Sequence, residues 1–175
     1  CLMPARTTGQ QALETMINLA GLVGARPFFL DPLEHDAFVA AVSHLPFVAA
    51  TALVRLATTS PSWREMRRLA AIDFESASLP VMGSPQHYSG ICQTNRDSIV
   101  RWIDEYVAQL VEMKSLIEQG GDDLLAAFDA AQTARAKWIA TRDDELAELP
   151  EPPRIEGTGA QMRQMFMGSL ARERP

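Results

Sequence analysis

The stretch "EHDAFVAAVSHLPFVAATALV" (residues 34–54) decides the reading of this chain, because 18 of its residues in a row, Ala37 to Val54, carry no formal charge. An apolar run of that length is too long for a strand, and it reaches the length at which a membrane span must be weighed. His44 and Pro46 at its centre, its many alanines and the acidic flank at Glu34 and Asp36 argue instead for a helix buried on most sides. Proline removes the N–H that would bond the carbonyl of Val42 and clashes with that carbonyl, so the helix is expected to kink there. At about 100° per residue, Asp36, Ala40, Ser43 and Phe47 share one stripe about 60° wide. Two readings follow. Either the kink and Ser43 line a cavity, or Ser43 bonds its own backbone and His44 is satisfied by a neighbour.

Outward from this segment, helix starts and stops are legible. Thr8, Asp31, Ser62 and Thr158 are each followed three residues later by Glu or Gln, the reciprocal arrangement that satisfies two free backbone donors at a helix start. Asp31-Pro32 and Ser84-Pro85 place proline at a first helical position, where its missing N–H costs nothing. Gly24 and the Gly120-Gly121 pair supply stops. The expected helices cover about 8–24, 32–57, 62–72, 85–119, 122–147 and 159–171, with only "RPFFLD" (residues 26–31) extended. No strand–turn–strand signal occurs, so the expected class is all-α, a helical bundle with long central helices.

Ile99, Ile103, Tyr106, Leu110, Met113 and Ile117 are spaced 4-3-4-3-4, a narrow apolar seam suited to packing along another long helix. The partner is either another helix of this chain or a second copy. A helix near 35 residues would be roughly 50 Å long, more than one small core can cover. The organisation expected is a helical domain over 1–147, a stiff proline-rich linker over 148–158 ("LPEPPR" within it) and a C-terminal helix over 159–175.

The net charge of −6, with no cluster of Lys and Arg, gives no footprint for nucleic acid. The two cysteines, Cys1 and Cys92, lack metal-type spacing or a disulfide framework and read as reduced thiols of a cytoplasmic protein. "CLMPARTTGQ" has neither the pattern of a signal peptide nor an initiator Met, so the chain is expected to begin inside a longer protein. Of the three histidines, His35 and His44 fall on opposite faces of a straight helix, which leaves no metal site. No glycine-rich phosphate loop, Cys-x-x-Cys or Ser-His-Asp arrangement is present.

Taken in order, "LMPARTTGQQALETMINLAGLVGARPFFLDPLEHD", "SHLP", "MRRLAAIDF" and "GSPQHYSGICQTNRDSIVRWIDEY" resemble the C-terminal helical domain of the prephenate/arogenate dehydrogenases. The resemblance implies a two-domain enzyme of tyrosine biosynthesis. A nucleotide-binding domain holds NAD or NADP and the catalytic histidine, and the helical domain makes an intertwined homodimer and closes the substrate site. This chain matches the second part only. It is therefore expected to be inactive alone, to bind no cofactor by itself, and to have as partners a second copy and a small anionic cyclohexadienyl substrate, without membrane or nucleic acid.

By that resemblance His35 and Asp36 belong to an ionic network across the dimer, while Ser43, His44 and Tyr88 line the substrate site. Phe47 stands where many members have a second, substrate-contacting histidine. Counting back from Gly83, the family's loop aspartate and its carboxylate-binding arginine fall on Ser76 and Leu79. A guanidinium is the natural bidentate clamp for a carboxylate, and leucine offers no replacement; Arg67, Arg68 or His87 would have to serve. A divergent, non-catalytic helical dimer, or a dehydrogenase for another substrate, is the alternative.

Overall fold

Pro46 has no N–H to give, and the chain accommodates it with a widened turn. The computed structural model describes residues 1–147, and in it the apolar segment runs as α2 (Pro32–Val39), a π-type turn (Ala40–His44) and α3 (Leu45–Thr58). The N–H of Leu45 bonds the carbonyl of Ala40, five residues back rather than four. The kink expected at Pro46 thus takes the form of one extra residue held in the turn before it, and Pro46 lies in the first turn of α3. The extra residue changes the register. In an unbroken α-helix His44 would sit about 80° from Asp36; taking one residue out of the count brings it to within about 20°. The same shift rotates Ser43 off the stripe it was expected to share with Asp36, and its side chain is exposed.

The remaining elements are α1 (Gln10–Leu22), α4 (Trp63–Met66), α5 (Ile72–Ser78), a 3-10 turn (Leu79–Met82), α6 (Pro85–Thr94), α7 (Arg96–Gln119) and α8 (Asp122–Ala147). Among the described residues the only β-type pairing is an isolated bridge. Leu2 donates to the carbonyl of Phe28 at 2.8 Å and accepts from Leu30 at 3.2 Å, within the piece expected to be extended. The fold is all-α. Gly24 and Gly120 both take positive φ, 72° and 66°, at the ends of α1 and α7, as expected of helix stops.

Two long helices of the sequence map are each divided. The expected 62–72 helix ends after one turn, and α5 begins after an extended Ala71, with Asp73 and Glu75 complementing its N-terminus. The expected 85–119 helix breaks at Asn95 (φ −113°, ψ 37°). Gly9 rather than Thr8 precedes α1, and Ser62 makes no side-chain cap; Ser84 does, accepting from the His87 N–H at 3.4 Å. The linker over 148–158, the helix over 159–175 and the Thr158 cap lie outside the described residues.

Contacts divide the chain into residues 32–132 and a second unit of residues 1–31 with the chain from 133 onward. The second unit contains α1 and the Leu2–Phe29 bridge. Among the described residues, the buried apolar side chains of the 32–132 unit are Ala40, Phe47, Ala50 and Ala57 from the apolar segment and Ile99 from α7, while Pro27 is buried in the other unit. No large side chain is completely enclosed, which is little core for a unit of this length. In the most apolar 18-residue window of the span Pro32–Thr58, of mean hydropathy 1.9, only 17% is buried. Length and composition alone would let this span cross a membrane; within this unit it is a core helix covered on one side.

Candidate functional site

Asn95 is the buried polar side chain of the described residues, 9% exposed, and it lies between α6 and α7. Its side chain makes no capping bond to α7, and its amide nitrogen donates to the carbonyl of Asp36 at 2.7 Å. One residue on, the carbonyl of Ala37 accepts from the Trp102 indole N–H at 3.1 Å. Asn95, just before α7, and Trp102 within it therefore hold consecutive carbonyls of α2. The Asn95 amide nitrogen is also 3.4 Å from Nδ1 of His44, the residue that the widened turn has rotated onto this face. Burial pushes the His44 imidazole below its ordinary value of 6.5; the Asp36 carboxylate pulls it up, and His35 pushes it further down. His35 Nδ1 and Asp36 Oδ1 are 3.1 Å apart in a solvent-accessible pair.

A second cluster adjoins the first through Phe47, whose ring centre is 5.9 Å from that of His44. Phe47 is 6% exposed and stacks on Tyr88, with centroids 4.2 Å apart and planes within 9°. The Tyr88 hydroxyl donates to the carbonyl of Pro80 at 2.6 Å. That ring passes so close to the backbone of Gly83 that a Cβ there would collide with its hydroxyl end, so glycine at 83 is a requirement of packing. Phe47, Thr51 and Arg55 of α3 and Tyr88, Ser89 and Cys92 of α6 line an open cavity of about 360 Å³. Among the described residues Arg55 has no carboxylate partner, and it is the cation of this cavity.

On the sheltered face the structure therefore brings together His44, Phe47 and Tyr88 of the residues singled out in the sequence, with Asp36 beside them through its backbone. Ser43 is turned out. Leu79 opens the 3-10 turn with 67% of its surface exposed, and Ser76 is an exposed residue of α5 rather than of a loop. Arg67 and Arg68 are exposed in the turn after α4, and His87 is exposed in the first turn of α6. Asn95, Trp102, Arg55 and Gly83 were not assigned roles by sequence reasoning. For Asn95 a signal existed: Ile91, Asn95 and Ile99 recur every four residues, which puts the asparagine on an apolar stripe.

A groove of about 640 Å³ runs between α3 and α7, walled almost wholly by apolar side chains that include Leu45, Ala49, Leu53, Leu56, Val107 and Leu110. The seam read in α7 is buried at Ile99 and opens to solvent at Tyr106, Leu110 and Ile117. Tyr106 and Leu110 of the seam are part of the groove's wall.

A family model described as "Prephenate dehydrogenase, dimerization domain" matches residues 31–130, nearly the same span as the 32–132 unit. The chain belongs to this family. Among curated relatives, it is 28% identical over 136 residues to the prephenate dehydrogenase of Bacillus subtilis, covering 77% of this chain and 37% of that protein. It is likewise 28% identical over 137 residues to the cyclohexadienyl dehydrogenase of Zymomonas mobilis, covering 77% of this chain and 47% of that one. The chain thus spans less than half the length of either. The prephenate dehydrogenase fold recurs in solved structures: an A. aeolicus prephenate dehydrogenase in complex with hydroxyphenyl propionate and NAD+ (TM-score 0.71, 21% identity, 77% of this chain and 48% of that one) and the Synechocystis arogenate dehydrogenase (0.70, 21%, 78% and 50%).

Proposed function

We propose that this chain is the dimerisation and substrate-binding part of a prephenate dehydrogenase-like enzyme of tyrosine biosynthesis. The substrate would be prephenate or arogenate, a small anionic cyclohexadienyl compound. Its ring gives up a hydride and loses one carboxylate as carbon dioxide, leaving an aromatic phenol. NAD or NADP would accept the hydride. The described residues offer no strand–glycine turn–helix unit to seat a dinucleotide, so the cofactor would be held by the part of such an enzyme that this chain does not span.

The observation that carries this reading is the cluster of His44, Phe47 and Tyr88, two of which (Phe47 and Tyr88) wall one cavity, on the unit that the dehydrogenase family model matches. A neutral His44 contributes a ring nitrogen for hydrogen bonding, and the Phe47–Tyr88 stack offers a flat apolar wall to a six-membered ring. Arg55 supplies the charge that Leu79 does not, as a partner for a substrate carboxylate. A second copy of the chain would cover the α3–α7 groove, with His35 and Asp36 in contacts across the dimer. A cytoplasmic location, without membrane or nucleic-acid partners, belongs to the same reading.

Leu79 and the buried Phe47 favour the rival reading, either a helical dimer that has lost the chemistry or a dehydrogenase acting on a less anionic substrate. Initial rates of NAD and NADP reduction by the full-length gene product, with prephenate and arogenate offered separately, decide between them. Turnover of either substrate supports the proposal. A dimer that binds cofactor but turns over neither substrate overturns it in favour of the rival.

A further inference from the structure

The Asn95 side chain leaves no freedom in which of its atoms faces which partner. An amide oxygen 2.7 Å from the Asp36 carbonyl would set two acceptors against each other, so the atom at that position is the nitrogen. The same nitrogen lies 3.4 Å from His44 Nδ1. Its first hydrogen is committed to Asp36, and its second is the one available to the ring. Nδ1 can meet that hydrogen only as an acceptor, so the ring proton of a neutral His44 must sit on Nε2.

We propose that Asn95 is a positioning residue that holds His44 as the neutral Nε2–H tautomer, making Nε2 the ring's single donor. The His35 and Asp36 side chains, both on α2, are the charged or titratable groups whose fields reach His44, and the neutral Asn95, between α6 and α7, faces it. The Asp36 carboxylate is engaged with His35 Nδ1 at 3.1 Å. The tautomer is therefore set by an amide and not by a carboxylate, and the ring's single donor is uncharged. What meets that donor rests on the function proposed above; the tautomer itself does not.

The test is imidazole nitrogen NMR on the 15N-labelled 175-residue chain, with the three histidines assigned by single His→Gln variants. Above the titration of His44, its Nδ1 should resonate as an unprotonated, pyridine-like nitrogen and Nε2 as a protonated one; a protonated Nδ1 overturns the proposal. Because free imidazole already leans toward the Nε2–H form, Asn95→Asp provides the sharper arm. A carboxylate there only accepts, so the proton should move to Nδ1 and proton affinity should rise about tenfold or more. A folded Asn95→Asp chain with tautomer and midpoint unchanged also overturns it. If that variant fails to fold, the wild-type Asn95 side-chain amide serves: it should shift with the His44 midpoint, and an amide that stays still through that titration refutes the coupling. No substrate or cofactor enters these measurements, so an inactive full-length enzyme leaves the result standing, and a wrong tautomer leaves the proposed activity untouched.

Discussion

Replacing Gly83 by alanine should destabilise the protein through one ring. The backbone at Gly83 (φ −73°, ψ 171°) suits any residue, so the penalty is not conformational. An added Cβ meets the hydroxyl end of Tyr88, which is held by its stack on Phe47 and its bond to the Pro80 carbonyl. To make room the ring gives up both. The stack is worth about 0.5–1.5 kcal/mol, and the hydrogen bond about another 0.5–1.5 kcal/mol. Against this, removing a glycine lowers the entropy of the unfolded chain by about 0.4–1 kcal/mol. The net expectation is a loss of about 1–2 kcal/mol, read as the shift in urea midpoint at fixed protein concentration. The decisive arm is the same substitution in a Tyr88→Leu background. Leucine lacks the distal ring atoms that collide, so Gly83→Ala should there be neutral or stabilising by a few tenths of a kcal/mol. An equal loss in both backgrounds would refute the account.

Other outcomes follow from the same geometry. Leu53→Glu, on the wall of the α3–α7 groove, should shift sedimentation equilibrium toward monomer and make Tm fall on dilution, whereas an unaltered dimer would move the interface elsewhere. Because His44 is pushed down in the folded state, its contribution to stability is complete above the unfolded value of about 6.5 and is lost as pH falls toward the lowered folded value. Urea midpoints from pH 7.5 to 5 should therefore decline less steeply in His44→Gln than in the wild type; parallel curves would contradict the shift. Arg55→Gln in the full-length protein should weaken calorimetric binding of an aryl carboxylate by about tenfold, or 1.4 kcal/mol, while Arg67→Gln should leave it unchanged.

Local signals carried well where the physics is local. The glycines that end α1 and α7 and the proline that opens α6 act through their own φ angles, and all three are where the sequence puts them. Pro46 announced an irregularity but not its form. A kink and a widened turn both remove the missing N–H from the ladder, and they rotate the following residues differently. That difference exchanged Ser43 for His44 on the sheltered face. The family's motifs drew attention to Phe47 and Leu79 by position, but only packing shows one ring buried against Tyr88 and the other side chain turned to solvent. Arg55 was invisible because an exposed arginine late in an apolar helix looks like any solubilising charge until a cavity is found beside it.

By itself the sequence determined an all-helical chain, its main helix stops and one long apolar segment, since these depend on residues within a turn or two of each other. Tertiary structure decided the site. Asn95 reaches Asp36 across 59 residues and Trp102 reaches Ala37 across 65, and these bonds fasten α7 to α2 beside the point where the long helix is interrupted. Helical periodicity describes what a residue shares with its neighbours three and four places away. A backbone carbonyl captured by a side chain from a distant helix leaves no trace in that period, and at Asn95 and His44 such captures set the chemistry.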